Sequence, residues 1–136
     1  MEDMEKTEAA FRETFRLSPD NGNAYNYLGY LFAEKGIRLD EAVDLVRKAL
    51  ELEPENGFFI DSLGWAYFQK GMYREAVVEL EKAAEKVTGD PIVLEHLGDA
   101  YDKLGEREMA VESWEKALSL EPGNEGLKKK IEDAGK

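Results

Sequence analysis

Tyr25-Asn26-Tyr27-Leu28-Gly29-Tyr30-Leu31-Phe32 returns, altered but in phase, as Ile60-Asp61-Ser62-Leu63-Gly64-Trp65-Ala66-Tyr67 and again as Leu94-Glu95-His96-Leu97-Gly98-Asp99-Ala100-Tyr101. The glycines of these blocks lie 35 and then 34 residues apart. Tyr25, Leu28, Gly29 and Phe32 stand at i, i+3, i+4 and i+7, one apolar stripe of an amphipathic helix. A glycine inside such a stripe costs about 1 kcal/mol of helix propensity. Its recurrence therefore has a reason, which we take to be the close approach of a neighbouring helix backbone. Seven residues later comes a second glycine, Gly36, Gly71 or Gly105, suited to a left-handed turn that ends the helix. A second helical pattern follows each: Ala42, Val46, Ala49; Ala76, Leu80, Ala83; Ala110, Trp114, Ala117. Trp114, in phase with Val46 and Leu80, reads as core. Pro54 and Pro122 stop two of the second helices. At the third junction Asp90-Pro91 reads as an N-cap followed by proline at the first helical position. The unit is helix, tight turn, helix, terminator.

Two irregularities carry expectations. The first unit has one extra residue in its turn (Gly36-Ile37-Arg38-Leu39-Asp40-Glu41-Ala42), which should tilt its second helix slightly. The second has Thr88 in place of proline, so its second helix is expected to run on to Gly89.

Upstream of the first block, Phe11, Phe15 and Leu17 fall in phase with Val46, Leu50 and Leu52. The stretch 1–20 thus reads as the second helix of a partial repeat: either an atypical N-terminal cap or, as the core-like Phe11 and Phe15 favour, part of an array that continues upstream. Repeats follow at 22–56, 57–90 and 91–123. Residues 124–136 form a capping helix, with Asn124 as N-cap, Leu127, Ile131 and Ala134 inward, and Lys128, Lys129 and Lys130 mostly outward. The expected architecture is all-α, about eight helices in a single domain.

Composition narrows the function. The 136 residues carry a formal charge of −12. Phosphate backbones require a basic surface, so nucleic acid is excluded as a partner, and an anionic membrane surface is disfavoured on the same ground. No apolar run reaches the roughly 18 residues of a membrane span, so no membrane insertion is expected. Met1 to Glu8 is charged and holds no signal-peptide core. That leaves cytoplasm and periplasm both open as compartments. Cysteine is absent, which removes disulfides, zinc-thiolate sites and thiol nucleophiles.

With Leu-Gly, an aromatic three residues on, then glycine, two alanines and proline, three units in register resemble the tetratricopeptide repeat over nearly the whole chain. The wider wording (Arg-Leu-Asp-Glu-Ala, Asp-Ser-Leu-Gly-Trp, His-Leu-Gly-Asp) is similar to the repeat region of large bacterial proteins of that family. The resemblance implies a right-handed superhelical solenoid of antiparallel helix pairs. It also implies a concave binding groove lined by the first helix of each pair. Residues about 100° around the helix from the core stripe should face it. These are Asn26, Tyr30 and Ala33, then Asp61, Trp65 and Phe68, then Glu95, Asp99 and Asp102, with Phe58 and Ile92 at the rim. The set grades from aromatic to acidic, which favours a partner with basic and apolar residues. Some family members clamp a terminal carboxylate with lysine, arginine and asparagine. The equivalent positions here are Asn26, Tyr30, Ser62, Ile92 and His96, so that clamp is largely missing.

Catalysis finds no support in the residues. His96 is the single histidine, and with Glu95 and Asp99 it falls short of a zinc ligand set. Ser62 has no histidine in its own repeat to act as base. No enzyme activity, cofactor or metal is expected. The reading is a protein-binding scaffold that takes a peptide or helix in the groove. The alternative is a spacer or self-association element that forms a homodimer through the apolar N-terminal helix.

Overall fold

The computed structural model describes residues 3–136, so Met1 and Glu2 of the predicted 1–20 segment lie outside the described residues. Its eight helices, with no strand among the described residues, are α1 (Met4–Leu17), α2 (Gly22–Lys35), α3 (Leu39–Leu52), α4 (Gly57–Gln69), α5 (Tyr73–Lys86), α6 (Pro91–Lys103), α7 (Arg107–Leu120) and α8 (Glu125–Ala134). No helix among the described residues is long and apolar enough to cross a membrane. From α2 onward two kinds of start alternate. Asn21, Asn56, Asp90 and Asn124 each accept backbone N–H bonds with the side chain, opening α2, α4, α6 and α8. The helices that follow a tight turn, α3, α5 and α7, have no side-chain cap. Their turns are closed instead by the backbone: Ile37, Met72 and Glu106 donate to the carbonyls of Phe32, Tyr67 and Tyr101. The left-handed glycines Gly36, Gly71 and Gly105 make that closure sterically free.

The pairs α2/α3, α4/α5 and α6/α7 pack tightly, and each stacks on the next through one continuous core that includes Leu28, Phe32, Val46, Leu63, Leu80, Leu97, Trp114 and Leu127. The in-stripe glycines have the reason given above. A Cβ on Gly29 would stand 2.7 Å from Val46 Cγ2 and 3.0 Å from the Ala42 carbonyl oxygen, and one on Gly64 would stand 2.7 Å from Leu80 Cγ.

Two details differ from the sequence reading. α5 ends at Lys86 and does not run on to Gly89; its cap, Val87, donates its N–H to Ala83. The stop is imposed by packing, because Val87 presses onto Gly57 so closely that a Cβ there would lie 2.3 Å from Val87 Cγ2. Lys130 does not point outward with its neighbours but lies half-buried against α6. In the first unit the extra residue is absorbed by Arg38, at φ 48°, the one non-glycine with positive φ among the described residues. Its guanidinium sits 4.6 Å from the centre of the Phe32 ring.

α1 is held differently from the rest, with no fully buried residue. Phe11 stacks on Tyr27 and Phe15 on Tyr25, with ring centres 5.4 and 4.2 Å apart. An ion-pair net joins Glu8 to Arg12 and Arg38, and Glu41 to the same two arginines. Hydrogen bonds from Arg38 and Arg12 hold the Glu8 carboxyl below its ordinary value of 4.5. A lowered carboxylate stabilises the docked helix above the unfolded value and ceases to as pH falls through the folded one. On titration from pH 5 to 3, the Phe11 and Phe15 ring protons should lose the ring-current shifts imposed by Tyr27 and Tyr25. The Leu80 methyls should hold theirs; equal, simultaneous loss at both places would show that α1 is not separately held.

Candidate functional site

The first helices of the units lie side by side, and corresponding positions form rows across them. One row runs Asn26, Asp61, Glu95; the next runs Tyr27, Ser62, His96, Lys130. The two rows are laced together. Asp61 accepts from His96 Nδ1 at 3.0 Å through Oδ1 and 3.2 Å through Oδ2. A carboxylate can only accept, so Nδ1 carries the hydrogen. One unit further on, Glu95 accepts from Lys130 Nζ at 2.6 Å, and the same ammonium reaches Asp99 at 2.9 and 3.1 Å. Each rung joins an acid on one first helix to a base 35 residues later on the next.

These rungs change the reading of the acidic positions. Asp61, only 6% exposed, belongs to the interface between α4 and α6 and is not a free groove acid. Glu95 and Asp99 form no open acidic patch, because α8 delivers Lys130 to both. Asp99 also accepts from Trp114 Nε1 at 3.0 Å. Burial pushes the Asp99 carboxyl above its ordinary value, more than Lys130 and Trp114 pull it down. For Lys130, burial works against the charged form but the two carboxylates outweigh it and raise it. Both shifts run upward, which disfavours the charged form of Asp99, the deeper partner and one that also faces Glu95, and favours the charged form of Lys130. Asp102 remains exposed, and Ala33 is fully buried in the core. His96 turns to Asp61 and is not gathered with Asp99 into a ligand set.

The aromatic positions split into two groups. Trp65 is stacked between Phe68 and His96, with ring centres at 4.5 and 4.0 Å, and forms the middle of the face. Its Nε1 is buried without a partner. Phe58 and Ile92, by contrast, are 54% and 57% exposed at equivalent places on α4 and α6. Between them opens a cavity of about 290 Å³, bordered also by Asn26, Tyr30, Asp61 and Ser62. Its lining has amide, hydroxyl and carboxylate groups and no lysine or arginine. The Tyr30 hydroxyl is pushed well above its ordinary value, first by burial and then by its bond to Glu34. A larger cavity of about 460 Å³ lies between α6, α7 and α8, where Asp99, Asp102 and Asp133 alternate with Lys103, Arg107 and Lys130. The predicted residues therefore divide: Asn26, Tyr30, Phe58 and Asp61 border the first cavity, and Phe68, Asp99 and Asp102 the second. Trp65 and Glu95 border neither. Lys130 is a residue of this face that a helix-by-helix reading misses; its signal is its spacing from Glu95, the same 35 residues that separate His96 from Asp61.

Family models described as tetratricopeptide repeat match residues 5–57, 61–85 and 91–124. No curated protein matches the sequence. Among solved structures, a crystal structure of MamA is 25% identical with a TM-score of 0.80, over 93% of this chain and 73% of that one. PilF of Pseudomonas aeruginosa is 23% identical with a TM-score of 0.84, over 96% of this chain and 59% of its own. The first such domain of Spaghetti (RPAP3), solved with the HSP90 peptide SRMEEVD, is 22% identical with a TM-score of 0.78, over 84% of this chain and 90% of that one. The matched segments fall in step with the helix pairs, and the solenoid coincides with those of solved repeat proteins over nearly its full length: this chain belongs to the tetratricopeptide repeat family.

Proposed function

We propose that the chain is a non-catalytic scaffold module that holds a segment of a partner protein on its concave face, across α2, α4 and the start of α6. The observation that carries this reading is the pair Phe58 and Ile92. Two large apolar side chains at the same position of successive units, both more than half exposed, flank a cavity whose floor is polar. Exposed apolar anchors around a pocket are what a binding hot spot needs. The tetratricopeptide fold commonly mediates protein–protein interaction, and the RPAP3 domain was solved with a peptide.

The chemistry of the pocket favours an internal segment over a chain terminus. A terminal carboxylate, or an acidic peptide, needs cations around it. The cavity has none in its lining, and the chain as a whole bears −12. Catalysis is disfavoured by the same geometry: the Ser62 hydroxyl donates into its own helix at the Phe58 carbonyl, 3.2 Å away, and His96 points its Nδ1 at Asp61.

The test begins with 12-residue peptides selected on the protein from a random display library. Their affinities are then read by fluorescence polarisation. Phe58→Ser with Ile92→Ser should weaken them at least ten-fold, about 1.4 kcal/mol. Far-UV circular dichroism and the melting temperature should stay near wild type, since both side chains are exposed. Unchanged affinity in the double variant would place the binding surface elsewhere.

A further inference from the structure

The ladder across the first helices has two closed rungs and one open one. Asp61 is met by His96 and Glu95 by Lys130. At the first rung the acceptor is Asn26, and the residue in the place of His96 and Lys130 is Ser62. Serine is too short to cross, and its hydroxyl turns back to the Phe58 carbonyl. Asn26 Oδ1 is left buried with no partner, beside the cavity of about 290 Å³. At the closed rungs a nitrogen donor from the next helix fills the corresponding place.

We infer that a lysine side chain of the bound partner completes this rung. The inference rests on the groove reading above and adds the chemistry of what enters. Three observations bear on the choice of lysine. First, the groups bordering the pocket offer oxygens, on Asn26, Tyr30, Ser62 and Asp61, and no cation. Second, both Asp61 oxygens already face His96 Nδ1, and Oδ1 of the other lining carboxylate, Asp90, accepts the Ile92 and Val93 N–H groups as the cap of α6, so neither carboxylate offers both oxygens to the two-pronged guanidinium of arginine. A compact ammonium with three rotatable donors suits acceptors scattered over several side chains. Third, the fold contains its own precedent, because Lys130 places an ammonium at the equivalent position one helix beyond His96 and is held there half-buried by two carboxylates.

The entry follows the same chemistry. The four-carbon stem of lysine lies along Phe58 and Ile92 while the head reaches polar ground. The terminal torsion of asparagine is broad, so the Asn26 amide turns its carbonyl out of its buried seat to meet the donor. Net negative charge speeds the approach of a basic segment and makes it salt-dependent.

The display-selected 12-residue peptides provide the probe. They should share one lysine beside an apolar residue. Re-synthesis with Nε-acetyl-lysine at that position keeps the stem and removes the charge, and should weaken binding at least ten-fold. In ¹H–¹⁵N spectra the lysine peptide should move the Asn26 side-chain amide and the Ser62 backbone signal. Ser62→Lys supplies the missing base internally and should block the lysine peptide; because Ser62 is 3% exposed, circular dichroism is recorded beside it to show that the variant is folded. Asn26→Leu removes the acceptor without adding bulk to the neighbouring helix, and should bring the lysine and acetyl-lysine peptides to equal affinity. Selected peptides without a shared lysine, equal affinity for the two forms on the wild type, or shifts confined to α6–α8 would each overturn the inference. If such peptides still lose affinity in the Phe58 and Ile92 double variant, the groove reading stands and only the lysine falls.

Discussion

Replacing Gly98 with alanine is expected to destabilise the fold by about 2–3 kcal/mol, although the same change in an isolated helix is favourable by about 1 kcal/mol. The sign reverses because of what the methyl group meets. An added Cβ would sit 2.5 Å from both Cδ1 and Nε1 of Trp114 and 3.1 Å from the Ala110 carbonyl oxygen. A flexible side chain at its far end could swing away at little cost. This indole is packed in the core, 4% exposed, and its N–H is committed to Asp99. Shifting it stretches that bond and leaves the partly buried Asp99 dependent on Lys130 alone, so the disturbance spreads from the α6/α7 crossing to α8. In a domain of this size the loss corresponds to a fall in melting temperature on the order of 5–15 °C. Urea unfolding of Gly98→Ala, Trp114→Leu and the double variant gives a second check. The smaller side chain makes room for the methyl, so the double variant should be less destabilised than the two single losses added together. A Gly98→Ala protein as stable as wild type would mean that the helices do not meet as closely as described.

The same crossing shows which parts of this fold can be read from sequence. A glycine in an apolar stripe is a local anomaly, and three copies in phase turn it into a statement about a neighbouring backbone. Helix starts are equally plain, since Asn21, Asn56, Asp90 and Asn124 announce themselves by residue type. The end of α5 is not, because it is decided by Val87 against Gly57, a contact between residues 30 apart. The site divides along the same line. A helical wheel places Asn26, Asp61 and Glu95 on one face correctly, but it sees one helix at a time. Whether a carboxylate on that face is free depends on what the next unit brings to it. His96 closes over Asp61 and Lys130 over Glu95 and Asp99, so charge that looks exposed by position is consumed between helices. Lys130 is indistinguishable by composition from Lys128 and Lys129; only its phase, 34 residues after His96, sets it apart. Ala33 fails in the opposite direction. The buried face of α2 is wider than a single stripe because α4 covers its flank, where Gln69 Nε2 donates to the Ala33 carbonyl at 2.9 Å.

The Asp61–His96 rung permits the sharpest separation of a structural acid from a binding one. Both side chains are 9% exposed, so neither is well placed to recover its lost hydrogen bond from solvent. Asp61→Leu leaves the Nδ1 hydrogen of His96 buried without an acceptor, beneath the Trp65 ring, and should cost about 3 kcal/mol. Adding His96→Leu should restore much of that loss, because an apolar pair of similar volume replaces two polar groups that otherwise require each other. Asp61→Asn keeps one oxygen to accept from Nδ1 and should cost the least of the three. Denaturant unfolding with an unchanged m-value is the measurement, and the recovery in the double variant is its decisive part. Were Asp61 a groove acid held for a ligand, Asp61→Leu would spare stability and His96→Leu would rescue nothing. With the rung as described, His96→Leu restores the fold, and the affinity of the selected peptides, anchored at Phe58 and Ile92, falls far less than it does when those two side chains are removed.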